Sequence, residues 1–341
     1  VTVKIAINGL GRIGRCVLRA IIENDRRDIQ VVAVNGPAEL SSHVHLLKYD
    51  SVHGTFRGDI TTSVEDGKEY MDMGHGKFRV FHERKVSDLP WGELGVDVVL
   101  ECTGKFTKRQ DAALHIESGA KKVLISAPAT DADATIVYGV NNEALLPNHT
   151  VLSVGSCTTN ALAPVAKVLH DRFGIRNGFM TTVHAYTGDQ NLHDGSHKDL
   201  RRARAAALSM VPSSTGAAKA IGLVLPHLAG KINGTAVRVP TPNVSLVDLV
   251  VNIEENTTAD AVNAALREAA ANLPLKGVLG ICDEPLVSTD FNHSPYSSVF
   301  DTSGTVVTGG NLLRVASWYD NEWGFSCRML DVTALLQGGL K

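Results

Sequence analysis

Apolar residues in this chain gather in short, nearly unbroken runs separated by glycine and polar clusters. Residues 1–7, 96–103, 122–126 and 150–154 carry such runs, the pattern of strands buried on both faces of a parallel sheet. Over 15–22 and 111–117 the apolar spacing is helical. Strand–helix alternation of this kind predicts a doubly wound α/β domain. The stretches 55–64, 69–73 and 77–81 read as exposed strands. Beyond residue 155 a helix is expected over 161–169, then strands at 178–183, 244–253, 305–308 and 312–318. Helices follow at 259–271, capped by Thr258, and at 325–336. The long 244–253 strand fits an antiparallel sheet. No repeat or low-complexity linker interrupts the chain, and the boundary falls near Gly155.

The first strand, 4–8, runs into Gly9-Leu10-Gly11-Arg12-Ile13-Gly14, then a helix, then a second strand at 29–34. That order is the context a dinucleotide-binding G-x-G-x-x-G requires. The first glycine makes the tight turn, the second lets backbone approach a pyrophosphate, and the third lets helix and strand pack closely. The helix start supplies N–H donors to the phosphates. An acidic residue is expected at the end of the second strand to hold the adenosine ribose. Asn35-Gly36-Pro37 stands there, with Glu39 beyond it. Gly36 leaves room and removes repulsion toward a 2′-phosphate, so this position admits NAD held by a substitute group, or NADP. Thr103, Gly104 and Ser126 follow later strand ends and face the expected ligand crevice, with Arg84 a candidate near the adenine.

Candidate chemistry centres on Ser156-Cys157-Thr158-Thr159-Asn160. A thiol at a helix start sees the positive end of the backbone dipole, which favours the thiolate. His184 closes the 178–183 strand and is a candidate partner for a thiolate–imidazolium couple. The basic run Lys198–Arg204 reads either as a solvated turn or as a phosphate site, where arginine's planar fork binds well. Pro212-Ser213-Ser214-Thr215-Gly216 opens an apolar helix and could cradle an anion. Arg238 lies in an otherwise apolar strand, where a charge needs a partner.

The 341 residues suffice for two domains, and a net charge of −3 gives no reason to expect nucleic acid as the main partner. No apolar run approaches a membrane span, and the first residues read as a strand rather than a signal peptide. The five cysteines are scattered, without metal-ligand or disulfide spacing. No metal site is expected, Cys16 and Cys102 read as inert core residues, and a reducing cytoplasm fits.

These residues together resemble the phosphorylating glyceraldehyde-3-phosphate dehydrogenases of the glycolytic type, over essentially the whole chain. The matching stretches are Asn8–Gly14, Leu47–Gly54, Ser156–Asn160, His184–Thr187, Asp199–Arg204, Pro240–Ser245 and Tyr319–Gly324. The resemblance implies a Rossmann-type doubly wound domain, 1–155 with 322–341, and an α+β catalytic domain, 156–321, with a mainly antiparallel sheet. It implies Cys157 as nucleophile toward a small phosphorylated aldehyde and His184 as base. It implies Thr187 and Arg238 at the substrate phosphate, and Ser156, Thr158, Thr215, Gly216 and Arg202 at inorganic phosphate. Arg12, Ile13, Arg84, Ser126 and Asn321 match its cofactor contacts, and a homotetramer is expected.

Two departures bear on the cofactor. NAD-specific members of that family carry Asp where this chain has Gly36, and Leu-Pro where it has Gly195-Ser196. A hydroxyl at Ser196 can bond a 2′-phosphate across a subunit boundary. Both changes point to NADP, with NAD also used. The erythrose-4-phosphate dehydrogenases are close relatives and share features of 89–104, but the residues after His184 and the phosphate-site set favour the glyceraldehyde substrate. A non-catalytic nucleotide-binding protein is the contrasting reading, against which Cys157, His184, Thr187 and Arg238 stand together.

Overall fold

The computed structural model describes residues 2–337. Val1 and 338–341, which the resemblance assigns to the cofactor-binding domain, lie outside the described residues. The chain forms two compact units. One comprises Val1–Ile136, Asn142–Gly155 and Ser326–Lys341, the other Val137–Asn141 and Ser156–Phe325.

The first unit follows the alternation of the sequence. It runs β1 (Val3–Asn8), α1 (Arg12–Glu23), β2 (Ile29–Asn35), α2 (Leu40–Lys48), β3 (Thr61–Glu65), β4 (Lys68–Asp72), β5 (Phe78–Phe81), β6 (Val98–Glu101), α3 (Arg109–Ala112), α4 (Leu114–Glu117), β7 (Lys122–Ile125), β8 (Ala134–Thr135) and β9 (Val151–Ser153). The sheet order is β3-β4-β5-β2-β1-β6-β7-β9-β8. Pairing is parallel from β5 to β8; β3–β4 and β4–β5 are antiparallel. Ala6, Val99, Val123 and Val151 pack with Trp91 in one core cluster. Each fully buried large aliphatic contributes about 1.5–3 kcal/mol.

A buried polar network ties the strand ends where a ligand would sit. Trp91 Nε1 donates to His115 Nδ1 (2.9 Å), and His115 Nε2 lies 3.0 Å from Glu101 Oε2. Asn8 Nδ2 donates to the same oxygen (2.6 Å), and Asn35 Nδ2 donates to Asn8 Oδ1 (2.8 Å). The backbone N–H of Thr103 donates to Glu101 Oε1 (2.8 Å), as does its hydroxyl.

Two expectations are corrected in this unit. The 55–64 stretch is a strand only from Thr61, because Phe56 turns inward and its N–H bonds the Lys48 carbonyl (2.8 Å) at the end of α2. The single helix expected at 111–117 is two short ones that meet at Ala113, whose own backbone stays in the right-handed helical region.

The second unit runs α5 (Cys157–Phe173), β10 (Ile175–Ala185), β11 (Val211–Ser213), α6 (Ala217–Val224), β12 (Ile232–Val239), β13 (Ser245–Ile253), α7 (Ala259–Ala271), β14 (Leu279–Cys282), β15 (Ser298–Thr308) and β16 (Leu312–Tyr319). The last helix, α8 (Trp323–Leu336), starts in this unit and ends in the first. Its sheet has the order β11-β12-β10-β13-β16-β15-β14, antiparallel except at β10–β12 and β14–β15. Along β13, Ser245, Val247, Leu249, Val251 and Ile253 alternate inward, and the last four join α5 and α7 residues in one core. The strand expected at 305–308 is the end of an eleven-residue one, whose register slips between Asp301 and Val306. Among the described residues no helix is long and apolar enough to cross a membrane.

Candidate active site

Cys157 is the first residue of α5. Ser156 caps the helix, its hydroxyl accepting from Thr159 N (3.0 Å). His184 sits one residue from the end of β10, and the parallel register of β10 with β12 sets Arg238 beside it. Cys157 Sγ lies 3.5 Å from His184 Nε2, and Arg238 Nη1 lies 2.8 Å from His184 Nδ1. Nucleophile, base and cation thus form one line across two strands and a helix start.

The electrostatics differ from the sequence expectation. Burial is the main influence on Cys157, pushing its thiol above the usual range. Arg238, the Thr158 hydroxyl and backbone N–H groups at the helix start oppose this without overcoming it. Burial, then the charge of Arg238, lowers the His184 pKa to about 3. The unliganded pair is therefore thiol and neutral imidazole, not the thiolate–imidazolium couple that the helix dipole alone suggests. His184 Nδ1 meets an acceptor, the Ala185 carbonyl at 2.7 Å, as well as the Arg238 donor. One nitrogen can satisfy only one of them.

Beneath the pair, Tyr319 at the end of β16 is fully buried. Its hydroxyl bridges Thr158 Oγ1 (2.9 Å) and Thr182 Oγ1 (2.8 Å), and its ring meets His184 edge to face, centroids 5.9 Å apart. Ser245 Oγ accepts from Ala185 N (3.0 Å) and donates to Asn321 Oδ1 (2.9 Å). Tyr319 and Ser245 hold the base, and both stand at strand ends within the matched stretches.

The anion candidates lie in the same unit. Arg202 Nε and Nη2 donate to Ser213 Oγ (2.8 and 2.6 Å), and Nη1 pairs with Asp189 (2.5 Å). Thr215 Oγ1 accepts from Ala217 N (3.2 Å) where Gly216 caps α6. Thr187 N donates to Gln190 Oε1 (3.4 Å). Arg238 Nε and Gln190 Nε2 are buried donors with no partner, as a site built for an anion would leave them. Gln190 was not singled out from the sequence. The Thr158 side chain is engaged by Tyr319, and Ser196 is exposed, its carbonyl accepting from Asn191 Nδ2 (3.4 Å).

In the first unit a cavity of about 470 Å³ opens at the strand ends, lined among others by Asn8, Gly9, Gly11, Arg15, His43, Arg84 and Thr103. Such a volume suits a cofactor. The fit is supported by the turn itself. Gly9 has φ +99°, and a Cβ on Gly14 would lie 1.9 Å from the Gly9 carbonyl, so strand and helix close tightly. No side chain caps α1 at Gly11, where a pyrophosphate would take the N–H groups. Of the other cofactor candidates, Arg12 pairs with Asp50 (2.5 Å). Ile13, Gly36, Gly104 and Ser126 stand off the lining, and Asn321 belongs to the other unit. Asn8, Arg15, Asn35 and His43 line the cavity without having been singled out as ligands. A larger hollow of about 630 Å³ lies along the outer face of α2 and includes none of these strand-end residues.

Comparison with known proteins agrees with this architecture. Residues 3–109 match the NAD binding domain of glyceraldehyde 3-phosphate dehydrogenase, and 156–321 match its C-terminal domain. The chain belongs to the glyceraldehyde-3-phosphate dehydrogenase family. It is 57% identical to the glyceraldehyde-3-phosphate dehydrogenase of Cereibacter sphaeroides over 339 residues, 99% of each chain. It is 58% identical to that of Xanthobacter flavus, again over 99% of both, and 55% identical to that of Geobacillus stearothermophilus over 98% of both. As a member of the glyceraldehyde-3-phosphate dehydrogenase family it is an oxidoreductase with a nucleotide-binding Rossmann domain.

Proposed function

We propose that this protein converts glyceraldehyde 3-phosphate and inorganic phosphate reversibly to 1,3-bisphosphoglycerate, using NADP at least as well as NAD. The observation that carries the reading is the 3.5 Å approach of Cys157 Sγ to His184 Nε2, with Arg238 on the far side of the imidazole. His184 Nε2 takes the thiol proton as sulfur bonds to the aldehyde carbon, and the proton returns to the new oxyanion. The Cys157 N–H and the imidazole stabilise that oxygen. A dinucleotide held by the Gly9–Gly14 turn and Thr103, with Arg84 near its adenine, would supply the hydride acceptor, and His184 takes the hydroxyl proton as the thiohemiacetal becomes a thioester. An oxygen of inorganic phosphate then bonds to the acyl carbon, the C–S bond breaks, and the thiolate leaves.

Arg238 has two duties in this scheme. It binds the substrate phosphate with Thr187, and by doing so it is neutralised. Burial first, and then the Arg238 charge, lowers the His184 pKa to about 3; relieving the second of these strengthens the base when substrate is present. Arg202, Ser156, Thr158, Thr215 and Gly216 take inorganic phosphate. The domains are 1–155 with 322–341 and 156–321. A homotetramer in the cytoplasm is part of the same reading; Leu192, Leu200, Leu208 and Met210, all exposed in the single chain, offer it apolar surface.

Gly36 and Ser196 support NADP, since neither repels a 2′-phosphate. Measuring kcat/KM for both aldehydes, glyceraldehyde 3-phosphate and erythrose 4-phosphate, with both cofactors tests the reading. The expected optimum is the triose with NADP, abolished by alkylating Cys157. Activity surviving alkylation would refute the nucleophile, a tetrose optimum the substrate, and a strong NAD preference the cofactor.

A further inference from the structure

The cavity's adenosine end is built around two histidines that the proposed chemistry does not use. His43, on α2, is 4% exposed and lines the cavity with Arg15, Pro37, Glu83 and Arg84. A Cβ at Gly36 would lie 2.8 Å from both Cε1 and Nε2 of His43. The imidazole therefore occupies the space that a side chain at position 36 would enter. That position is where a dinucleotide fold keeps its ribose-binding acid, so the ring stands in the acid's place.

The neighbours fix much of the protonation. His82 Nδ1 lies 2.6 Å from the Ala38 carbonyl and 3.1 Å from the Gly36 carbonyl, and its Nε2 lies 2.6 Å from Glu69 Oε2. All three are acceptors, so both nitrogens carry hydrogen and His82 is an imidazolium. Burial works against that charge, but Glu69 and the two carbonyls prevail and the pKa is raised. His43 stacks on it, planes 6° apart with centroids at 6.2 Å, and Nε2 donates to the Gly36 carbonyl (3.2 Å). Burial first, then the positive charges of His82 and of Arg15 from α1, lower the proton affinity of His43; the Gly36 carbonyl opposes them. Glu69 is engaged by His82, while Glu83 and Arg84 face the cavity from the segment after β5. A neutral imidazole thus sits between cations.

We propose that His43 determines the choice between NADP and NAD: it replaces the ribose-binding acid and takes up a proton from solvent when a 2′-phosphate enters the corner. This rests on the reading of the cavity as the cofactor's adenosine site. A phosphate offsets the fields of His82 and Arg15 and offers acceptor oxygens, so the protonated ring becomes the stable form. The 2′-hydroxyl of NAD brings no charge and draws no proton. One linked proton makes NADP affinity rise relative to NAD as pH falls, by up to about tenfold per pH unit. The phosphate's own ionisation near about pH 6 closes the window from below.

Titration calorimetry on the full chain at pH 7.5, in two buffers of different ionisation enthalpy, reads this directly. NADP is expected to bind with net proton uptake, NAD with none, and His43→Gln to abolish the uptake while still binding NADP. NADP binding without uptake, or undiminished uptake in His43→Gln, would overturn the proposal. Failure of either nucleotide to bind would instead sink the cofactor reading, and this one with it. The wild-type comparison between buffers needs no variant, so instability of His43→Gln leaves the test intact.

Discussion

The Nδ1 atom of His184 has a donor at 2.8 Å and an acceptor at 2.7 Å, and it can serve only one of them at a time. Replacing Arg238 by Leu removes the cation that lowers both neighbours. The His184 pKa should then rise from about 3, while the Cys157 pKa should climb further, because Arg238 was favouring the thiolate. Proton NMR of the imidazole and the iodoacetamide rate at fixed pH would check the two shifts; faster alkylation would contradict them. The loss of charged hydrogen bonds to substrate should cut kcat/KM by roughly tenfold to a hundredfold. At this scale the sequence was legible where a residue type was out of place: a thiol at a helix start, an arginine in an apolar strand. His43 was not legible, although Leu40, His43 and Leu47 share one face of α2 at helical spacing. An imidazole there reads as core until its ring is found filling the space beside Gly36.

Elements position these side chains through a few close approaches. The turn between β1 and α1 closes because Gly14 has no Cβ to meet the Gly9 carbonyl. Gly14→Ala should lift α1 from the strand, at a cost of about 1–3 kcal/mol, and weaken nucleotide binding far more than it changes Cys157 alkylation. A nucleotide fluorescence titration beside a thermal melt would separate the two effects, and unchanged affinity would contradict the account. The β1–α1–β2 unit was readable because glycine spacing and periodicity agree there. The 55–60 segment was not, since β-prone residues are drawn off by one buried phenylalanine. Nor was the full length of β15, where Ser303-Gly304 interrupts the pattern at the slipped register.

At the scale of the molecule the chain visits its first unit three times, ending with the last turns of α8. Met329, Leu330, Val332 and Leu336 are buried there, and Arg26 pairs with Asp331 (2.8 Å) and bonds the Leu330 carbonyl (3.4 Å). Deleting 326–341 from the full chain should therefore lower the melting temperature and impair nucleotide binding, although the deleted segment contains none of the candidate ligands. Thermal unfolding with an NADP titration would show it; a truncated protein of unaltered melting point and affinity would be the contrary result. Such non-local contacts also favour slow folding.

Trp91 can only donate from its indole nitrogen, and it points at His115 Nδ1. The proton of that buried imidazole must then sit on Nε2, directed at Glu101. That protonated Nε2 cannot accept from the Asn8 amide nitrogen 3.4 Å away, which donates to Glu101 instead. One indole thereby fixes the His115 tautomer, and the Glu101 carboxylate accepts from His115 and Asn8 on one oxygen and from Thr103 on the other. The strand ends beneath the glycine turn therefore have their donors committed to one buried carboxylate, an order completed when the chain folded.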